Sequence, residues 1–370
     1  MHLTLTYTLT DECRNALANL DAERDTVRQL IPEGLEAIFA LTARHYSARG
    51  STAIEGNRVD ESTAQAILVG DEVPRTEDEI EIANINEAYE HAYQFTSDRR
   101  ARIDEGTIRA LNSVLQKGST KLGARSRGAY RPVTGTEVTI RDAATREVVY
   151  FPPPADDVSE LMRGYVEDVA RWVEEEPGPI AAALAHFGLV SIHPFEDGNG
   201  RTARLVADMV LDLTGWSIDR MVSVSAAIEA SGGAYFGALR DSQGLRFSDH
   251  VDAAAFVEYH TLRLLEAADS LQRRAARYRR MAEIVAVEFE MELRDVWLSA
   301  YLAEFAAISS STYARLVDVS QTTATKQLNE WVRGRALERV GGGRNTRYRS
   351  STGLREAVAR YDTRESGGER

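Results

Sequence analysis

His193-Pro194-Phe195-Glu196-Asp197-Gly198-Asn199-Gly200-Arg201-Thr202-Ala203-Arg204 is the stretch on which the reading of this chain turns. An apolar run, Ile180 to Ile192, interrupted by His186 and Gly188, leads into it and reads as a buried helix that Pro194 breaks. A Gly-Asn-Gly turn follows, and a second helical pattern starts at once, from about Arg201 to Thr214. Small residues in such a turn let backbone N–H groups approach an anion closely. The helix N-terminus behind them adds further amides and a favourable dipole. Arg201 and Arg204 are three apart, share one side of the first turn, and carry the planar fork that suits phosphate. Asp197 is a hard oxygen ligand of the kind Mg²⁺ takes beside phosphate oxygens. His193 accepts a proton at neutral pH. Each residue alone has an ordinary reading: a structural histidine, a turn glycine, a capping aspartate. Together they describe a nucleotide-phosphate transfer site.

Residues 193–204 match the signature of Fic-domain proteins at its defining positions, and the chain resembles that family over roughly Glu105 to Ala238. The resemblance implies a mainly α fold: a Fic helical bundle with a β-hairpin flap, to which a C-terminal winged helix domain is added. It implies that His193 is the general base toward a Ser, Thr or Tyr hydroxyl, and that Asp197 holds Mg²⁺. Gly198, Asn199 and Gly200 form the anion hole, Arg201 and Arg204 hold the β- and γ-phosphates of ATP, and Phe195 anchors the loop. Glu196 falls at a variable position and carries no role. Kinase-like Doc relatives have lysine where this chain has Gly200, so the glycine implies AMP transfer with pyrophosphate leaving.

A second motif is Ser51-Thr52-Ala53-Ile54-Glu55-Gly56-Asn57. Ser51 and Glu55 are four apart and share a helix face, and Gly56 can end the helix in the left-handed conformation. By itself this is a capped helix end. Beside the loop it resembles the family's inhibitory motif, in the subclass that carries it N-terminal to the core. That resemblance implies a Glu55–Arg204 pair that holds the enzyme off, or a Glu55 that orients water to remove AMP from a modified target.

Two further parts of the site are expected on weaker patterns. Val138-Thr139-Ile140 and Val148 to Phe151 are β-prone runs around a polar turn, and Pro152-Pro153-Pro154 ends them. The hairpin resembles the family's flap, which offers a strand edge to an extended target segment, with Thr139 and Ile140 as the clamping residues. An ordinary hairpin covering the core is the other reading. Tyr235 and Phe236 lie where the family has adenine contacts, and they read equally well as core residues.

Composition bounds the rest. The chain has 370 residues, enough for two or three domains, and its formal net charge is -13, which excludes nucleic-acid binding over the whole surface. One cysteine, Cys13, excludes an intrachain disulfide or a cysteine-based zinc site and fits a cytoplasmic setting. Neither a signal peptide nor a membrane span is read from the sequence. Between Trp331 and Ser350 the charge reverses, with six arginines to the single acid Glu338. A helix and turn (Tyr313 to Ser320), an amphipathic helix (Gln321 to Arg333) and two β-prone arms around Gly341-Gly342-Gly343 resemble a winged helix-turn-helix. Gln321, Thr322, Thr325 and Lys326 are then the candidates for DNA contact. A module that binds protein, including a second copy of the chain in a homodimer, is the alternative.

The expected organisation is an N-terminal helical region (1–104) with the inhibitory segment at 50–57, a catalytic core (105–240), a helical connector (241–292), the winged module (293–355) and a tail (356–370) whose last ten residues read as frayed. The expected function is an autoinhibited protein adenylyltransferase that modifies a target protein or itself. The rival is a DNA-binding regulator whose core senses nucleotide or modifies itself.

Overall fold

The computed structural model describes residues 1–31, 36–120, 123, 125–134, 138–141, 145–289, 307–343 and 346–367. The elements run β1 (Thr4–Thr6), α1 (Asp11–Leu30), α2 (Glu36–Ile54), α3 (Glu61–Leu68), α4 (Glu77–Thr96), α5 (Glu105–Leu115), β2 (Ile140–Arg141), β3 (Val148–Tyr150), α6 (Val158–Glu175), α7 (Gly178–Ile192), α8 (Asn199–Leu213), α9 (Val224–Ala230), α10 (Ala234–Gln243), β4 (His250–Asp252) and α11 (Ala254–Phe289). After the undescribed stretch come α12 (Ser310–Leu316), α13 (Gln321–Arg333), β5 (Leu337–Val340), β6 (Arg347–Ser350) and α14 (Thr352–Gly367). The mainly α expectation agrees with this, and no described helix is long and apolar enough to cross a membrane.

Contacts divide the chain into two units. One holds Met1–Arg24, Ala43–Arg58 and Arg75–Ala268; the other holds Asp25–Thr42, Val59–Pro74 and Asp269–Arg370. The division cuts across the linear segments expected from the sequence, because the N-terminal stretch contributes to both.

The first unit is organised around α7. Almost every residue from Gly178 to Ile192 is buried, so this helix is apolar on all sides and lies inside the core. It packs against α6 and α8, and α8 packs in turn against α4 and α5. Two tyrosines satisfy carbonyls of the buried helix: Tyr165 donates to Ala185 O at 2.7 Å and Tyr150 to Ser191 O at 2.9 Å. The second of these ties β3 to the end of α7, next to the loop. β2 and β3 are antiparallel, with Ile140 opposite Tyr150, as the hairpin reading expects. Thr139 lies just before β2, and part of the turn (142–144) is outside the described residues.

Helix ends follow their caps. Thr76 and Glu79 form a reciprocal capping box at α4, Asp104 caps α5, and Ser223 caps α9. α3, α5, α9, α10 and the parallel pair β1–β4 (Thr4 opposite His250) were not expected from the sequence. They are short, and a strand pair so distant in sequence leaves no local pattern.

In the second unit, α12 and α13 are capped by Ser309 and Ser320. Ala324, Leu328 and Trp331 face inward as expected, with Trp331 edge-on to Tyr313 at 5.6 Å between ring centres. β5 and β6 are antiparallel, and Ile308 bridges to Tyr348. α14 (Thr352–Gly367) carries Leu354 and Ala357 on a buried apolar face. The end of the expected connector (290–292), the start of the winged module (293–306) and Arg344 lie outside the described residues.

One glycine sets how closely α2 can approach. A Cβ on Gly50 would sit 2.8 Å from the Ser225 carbonyl oxygen and 3.0 Å from the Ala226 Cα, both backbone atoms that cannot rotate away. Gly50→Val is therefore expected to destabilise the chain by about 1–3 kcal/mol, measured by denaturant unfolding.

Candidate active site

The end of α7, the start of α8 and the loop between them bring the signature residues together. His193 closes α7 in the left-handed conformation (φ 51°, ψ 57°), its N–H donating to Leu189 O at 3.0 Å. Such a backbone is costly for a residue with a side chain and persists only where its surroundings hold it. Asn199 supplies part of that hold: its Oδ1 accepts from Phe195 N at 2.9 Å and its Nδ2 donates to Phe195 O at 3.0 Å, closing the loop on itself. The Phe195 ring is buried against Tyr130. Gly198 turns into α8 with φ 80°. The amides at the start of α8 then face outward with no intrahelical partners, as an anion cradle requires.

Asp197 Oδ1 accepts from Gly198 N at 2.6 Å and from Arg201 at 3.3 Å. Both bonds fall on one oxygen, so Oδ2 is the atom suited to a cation. Mg²⁺ uses one or two carboxylates and completes its octahedron with water and phosphate oxygens. A single carboxylate beside an anion cradle fits that habit, and the described residues contain no larger cluster of metal-ligating side chains.

Arg204 is the most tightly enclosed cation of the site, its side chain 1% exposed. Its Nε donates to Ser51 Oγ at 2.8 Å and one terminal nitrogen donates to Ser51 O at 2.9 Å and to Glu55 Oε1 at 2.7 Å. α2 ends at Ile54 and Gly56 takes φ 93°, so Glu55 stands at the helix terminus and points at the guanidinium. The other terminal nitrogen of Arg204 is buried without a hydrogen-bond partner, as is Arg201 Nε. Two buried donors without partners beside a helix N-terminus suit a polyanion. Gly200 makes the Glu55 position possible. A Cβ there would come within 2.3 Å of Glu55 Oε1.

Electrostatics sort these groups. Burial, with the nearby charge of Arg131, lowers His193 to about 4, so its imidazole is neutral at pH 7. The Val190 backbone and the carboxylates of Glu55 and Asp197 pull the other way without offsetting burial. Burial would raise Glu55, but the charge and hydrogen bond of Arg204, with smaller help from Arg201 and His193, leave it below the ordinary carboxylate value. Glu55 is thus ionised wherever the pair matters.

Tyr235 is buried, its hydroxyl 3.0 Å from His186 Nε2 and its ring 6.0 Å from the Arg204 guanidinium. Phe236 is 47% exposed. Thr139 and Ile140 are half-buried at the hairpin. In the second unit Gln321, Thr322 and Lys326 are exposed on α13, and Thr325 Oγ1 donates to Gln321 O.

Three residues of the site escaped the sequence reading. Arg131 donates to His193 O at 2.9 Å and from its backbone to Pro194 O at 2.8 Å, bracing the loop from below. Asn112 donates to Asp197 O at 3.0 Å and to Thr202 Oγ1 at 3.3 Å. Glu81 pairs with Arg201 at 3.5 Å. None sits in a motif, and each reaches the loop from a distant segment.

Comparison with known proteins matches residues 102–211 to the Fic/DOC family and residues 290–351 to the family described as transcriptional regulator DIP2311-like, C-terminal domain. Curated relatives include the protein adenylyltransferase Fic of Drosophila melanogaster, 28% identical over 237 residues, covering 56% of this chain and 44% of that protein. The enzyme of the same name from Nematostella vectensis is 28% identical over 205 residues, 54% of this chain and 45% of that one. The chain spans less than half the length of these relatives. Among solved structures, a Fic family protein from Desulfovibrio desulfuricans superposes with a TM-score of 0.57 at 23% identity, covering 94% of this chain and 98% of its own. A Fic domain containing signaling protein from Bacteroides thetaiotaomicron gives 0.59 at 23%, covering 70% and 97%. These likenesses show the fold.

Three buried histidines and the half-buried His193 make a stability prediction. His193 and His260 are lowered to about 4, His45 to about 3, and His186 well below its usual value, burial being the largest cause for each. The unfolded chain binds these protons near 6.5, so between about pH 6.5 and 4 it holds more protons than the folded chain, and stability falls as pH falls. The melting temperature, followed by calorimetry, is expected to decline steadily from pH 7 to pH 5, and less steeply in a His186→Gln variant.

Proposed function

We propose, from the premise that this chain carries a Fic domain within residues 102–211, that it is an autoinhibited protein adenylyltransferase transferring AMP from ATP to a protein hydroxyl. The observation that carries the reading is the closed loop with a neutral His193 at one end and the start of α8 at the other.

In this reading His193 removes the proton from a Ser, Thr or Tyr hydroxyl as its oxygen attacks the α-phosphorus of ATP. The bond from that phosphorus to the bridging oxygen breaks, and pyrophosphate leaves. The amides of Asn199 and Gly200 take the developing negative charge at the phosphates, where fixed dipoles act without reorganising, while Gly198, its N–H held by Asp197, supplies the turn. Arg201 faces the β-phosphate while Glu81 and Asp197 hold its fork in place. Mg²⁺, held by Asp197, would neutralise charge on the α- and β-phosphates. Phe236, with its exposed ring, is the better placed of the Tyr235–Phe236 pair to meet adenine. The hairpin, with Thr139 and Ile140, offers the edge of β2 to the target segment.

Arg204 is the point of control. Paired with Ser51 and Glu55 it cannot turn its full fork to a γ-phosphate, so ATP is held without productive alignment. A hydrogen bond between charged groups is worth about 1.5–3 kcal/mol, which corresponds to roughly ten- to a hundredfold. Glu55→Gly is expected to raise AMP incorporation by about tenfold or more, and Glu55→Gly with His193→Ala to abolish it, read by labelled ATP and mass spectrometry. Equal incorporation by the wild type and Glu55→Gly chains rules out inhibition by Glu55. Release of label from an already modified protein by the wild type, but not the Glu55 variant, points instead to AMP removal.

A second reading has its own support. The match of residues 290–351 to a regulator's C-terminal domain, and the exposed start of α13, favour DNA contact by Gln321, Thr322, Thr325 and Lys326. Against strong phosphate binding, Arg349 and Arg355 meet Glu338, and Arg347 meets Asp71 at 3.0 Å. Fluorescence anisotropy with genomic fragments decides between these: binding that weakens with salt and with Lys326→Glu supports a regulator, whereas salt-insensitive or absent binding supports a protein-interaction module.

A further inference from the structure

We propose that Tyr235 is a positioning residue, fixed by His186, that aims the Arg204 guanidinium at the γ-phosphate and takes no part in holding adenine. The proposal rests on the adenylyl-transfer reading and gives Arg204 a second support, one that survives the departure of Glu55.

Tyr235 and Phe236 are neighbours on α10 with opposite surroundings. Phe236 is 47% exposed, whereas Tyr235 is 3% exposed, too little for a base to stack on it. The Tyr235 ring is packed among His186 at 5.7 Å, Phe236 at 5.0 Å, Phe256 at 6.3 Å and Tyr259 at 6.2 Å between ring centres. A ring enclosed on this many sides has little room to change rotamer. The hydroxyl is tied as well, hydrogen-bonded to His186 Nε2 at 3.0 Å. His186 lies on α7, the helix that ends at His193, and is fully buried. Its Nδ1 is buried without a partner, so the Tyr235 hydroxyl is the one hydrogen-bond partner of this ring among the described residues.

Tyr235 in turn faces Arg204. The guanidinium lies over its ring, 6.0 Å from the centre, within reach of the negative π face. Burial pushes the phenol up to about 12 against the opposing charge of Arg204, so the ring is un-ionised at neutral pH. The contact is therefore a cation on a neutral π face. It steers the guanidinium without occupying an N–H, and Arg204 keeps one terminal nitrogen without a partner. The hydrogen-bonding holders of Arg204, Ser51 and Glu55, both belong to the inhibitory segment at the end of α2. Tyr235 is held from α7 and α11 instead. When Glu55 gives way, the ring stays.

The test measures ATP and ADP dissociation constants by calorimetry with Mg²⁺ in the full chain carrying Glu55→Gly and His193→Ala. The two nucleotides share the base and differ in the phosphate that Arg204 faces, so their ratio separates aiming of Arg204 from adenine contact. Tyr235→Leu is expected to cut the preference for ATP by about three- to tenfold and to leave ADP affinity within about twofold. Tyr235→Phe and His186→Leu each break the tether and keep the ring. A smaller loss of the same kind is expected from both, and His186→Gln, whose amide reaches the hydroxyl, is expected to restore the preference. If Tyr235→Leu fails to fold, Tyr235→Phe and His186→Leu carry the comparison. Equal weakening of ATP and ADP assigns Tyr235 to adenine or to packing and overturns the proposal, as does an unchanged ratio. AMP incorporation by the Glu55→Gly chain is followed alongside. Its absence overturns the adenylyl-transfer reading, while the nucleotide ratio still decides on Tyr235.

Discussion

The buried guanidinium of Arg204 is the constraint around which the site is arranged. A cation taken from water is tolerated only when its hydrogen bonds are supplied by the protein. Here Ser51 supplies two acceptors and Glu55 supplies the opposing charge. Two absences of a side chain make this possible: Gly50 lets α2 approach Ser225 closely, and Gly200 leaves the volume that the Glu55 carboxylate fills. Stretches about 150 residues apart are thus shaped to one another through a single positive charge.

The same charge explains why inhibition and catalysis share a residue in the proposed reading. Arg204 keeps one donor nitrogen without a partner even when Glu55 is bound. The resting site is therefore already built to receive an anion. Exchange of Glu55 for a phosphate replaces one charge-assisted bond with another of similar strength, so modest energies can move the balance. His193 is neutral at neutral pH with Glu55 in place, so in that reading phosphate alignment is the step under control.

Much of this was legible in the sequence where the signal is local. The helical periods of α7, α8 and α13, the αL glycine at 56, and the loop from His193 to Arg204 are all read from neighbouring residues. Ser51, Glu55 and Arg204 meet as the family resemblance implies, although four-residue spacing alone only placed the first two on one face. Arg131, Asn112 and Glu81 were not legible. They act through contacts between distant segments, and an arginine before a hairpin or an asparagine on a short helix has no pattern that sets it apart.

The central claim is that Glu55 withholds Arg204 from the γ-phosphate. The most direct measurement is the ratio of ADP to ATP dissociation constants, by calorimetry with Mg²⁺, in a His193→Ala background with and without Glu55→Gly. With Glu55 present the two nucleotides should bind alike, because Arg204 is occupied. Without it ATP should gain about tenfold over ADP, the scale of one charge-assisted bond. An unchanged ratio would contradict the account.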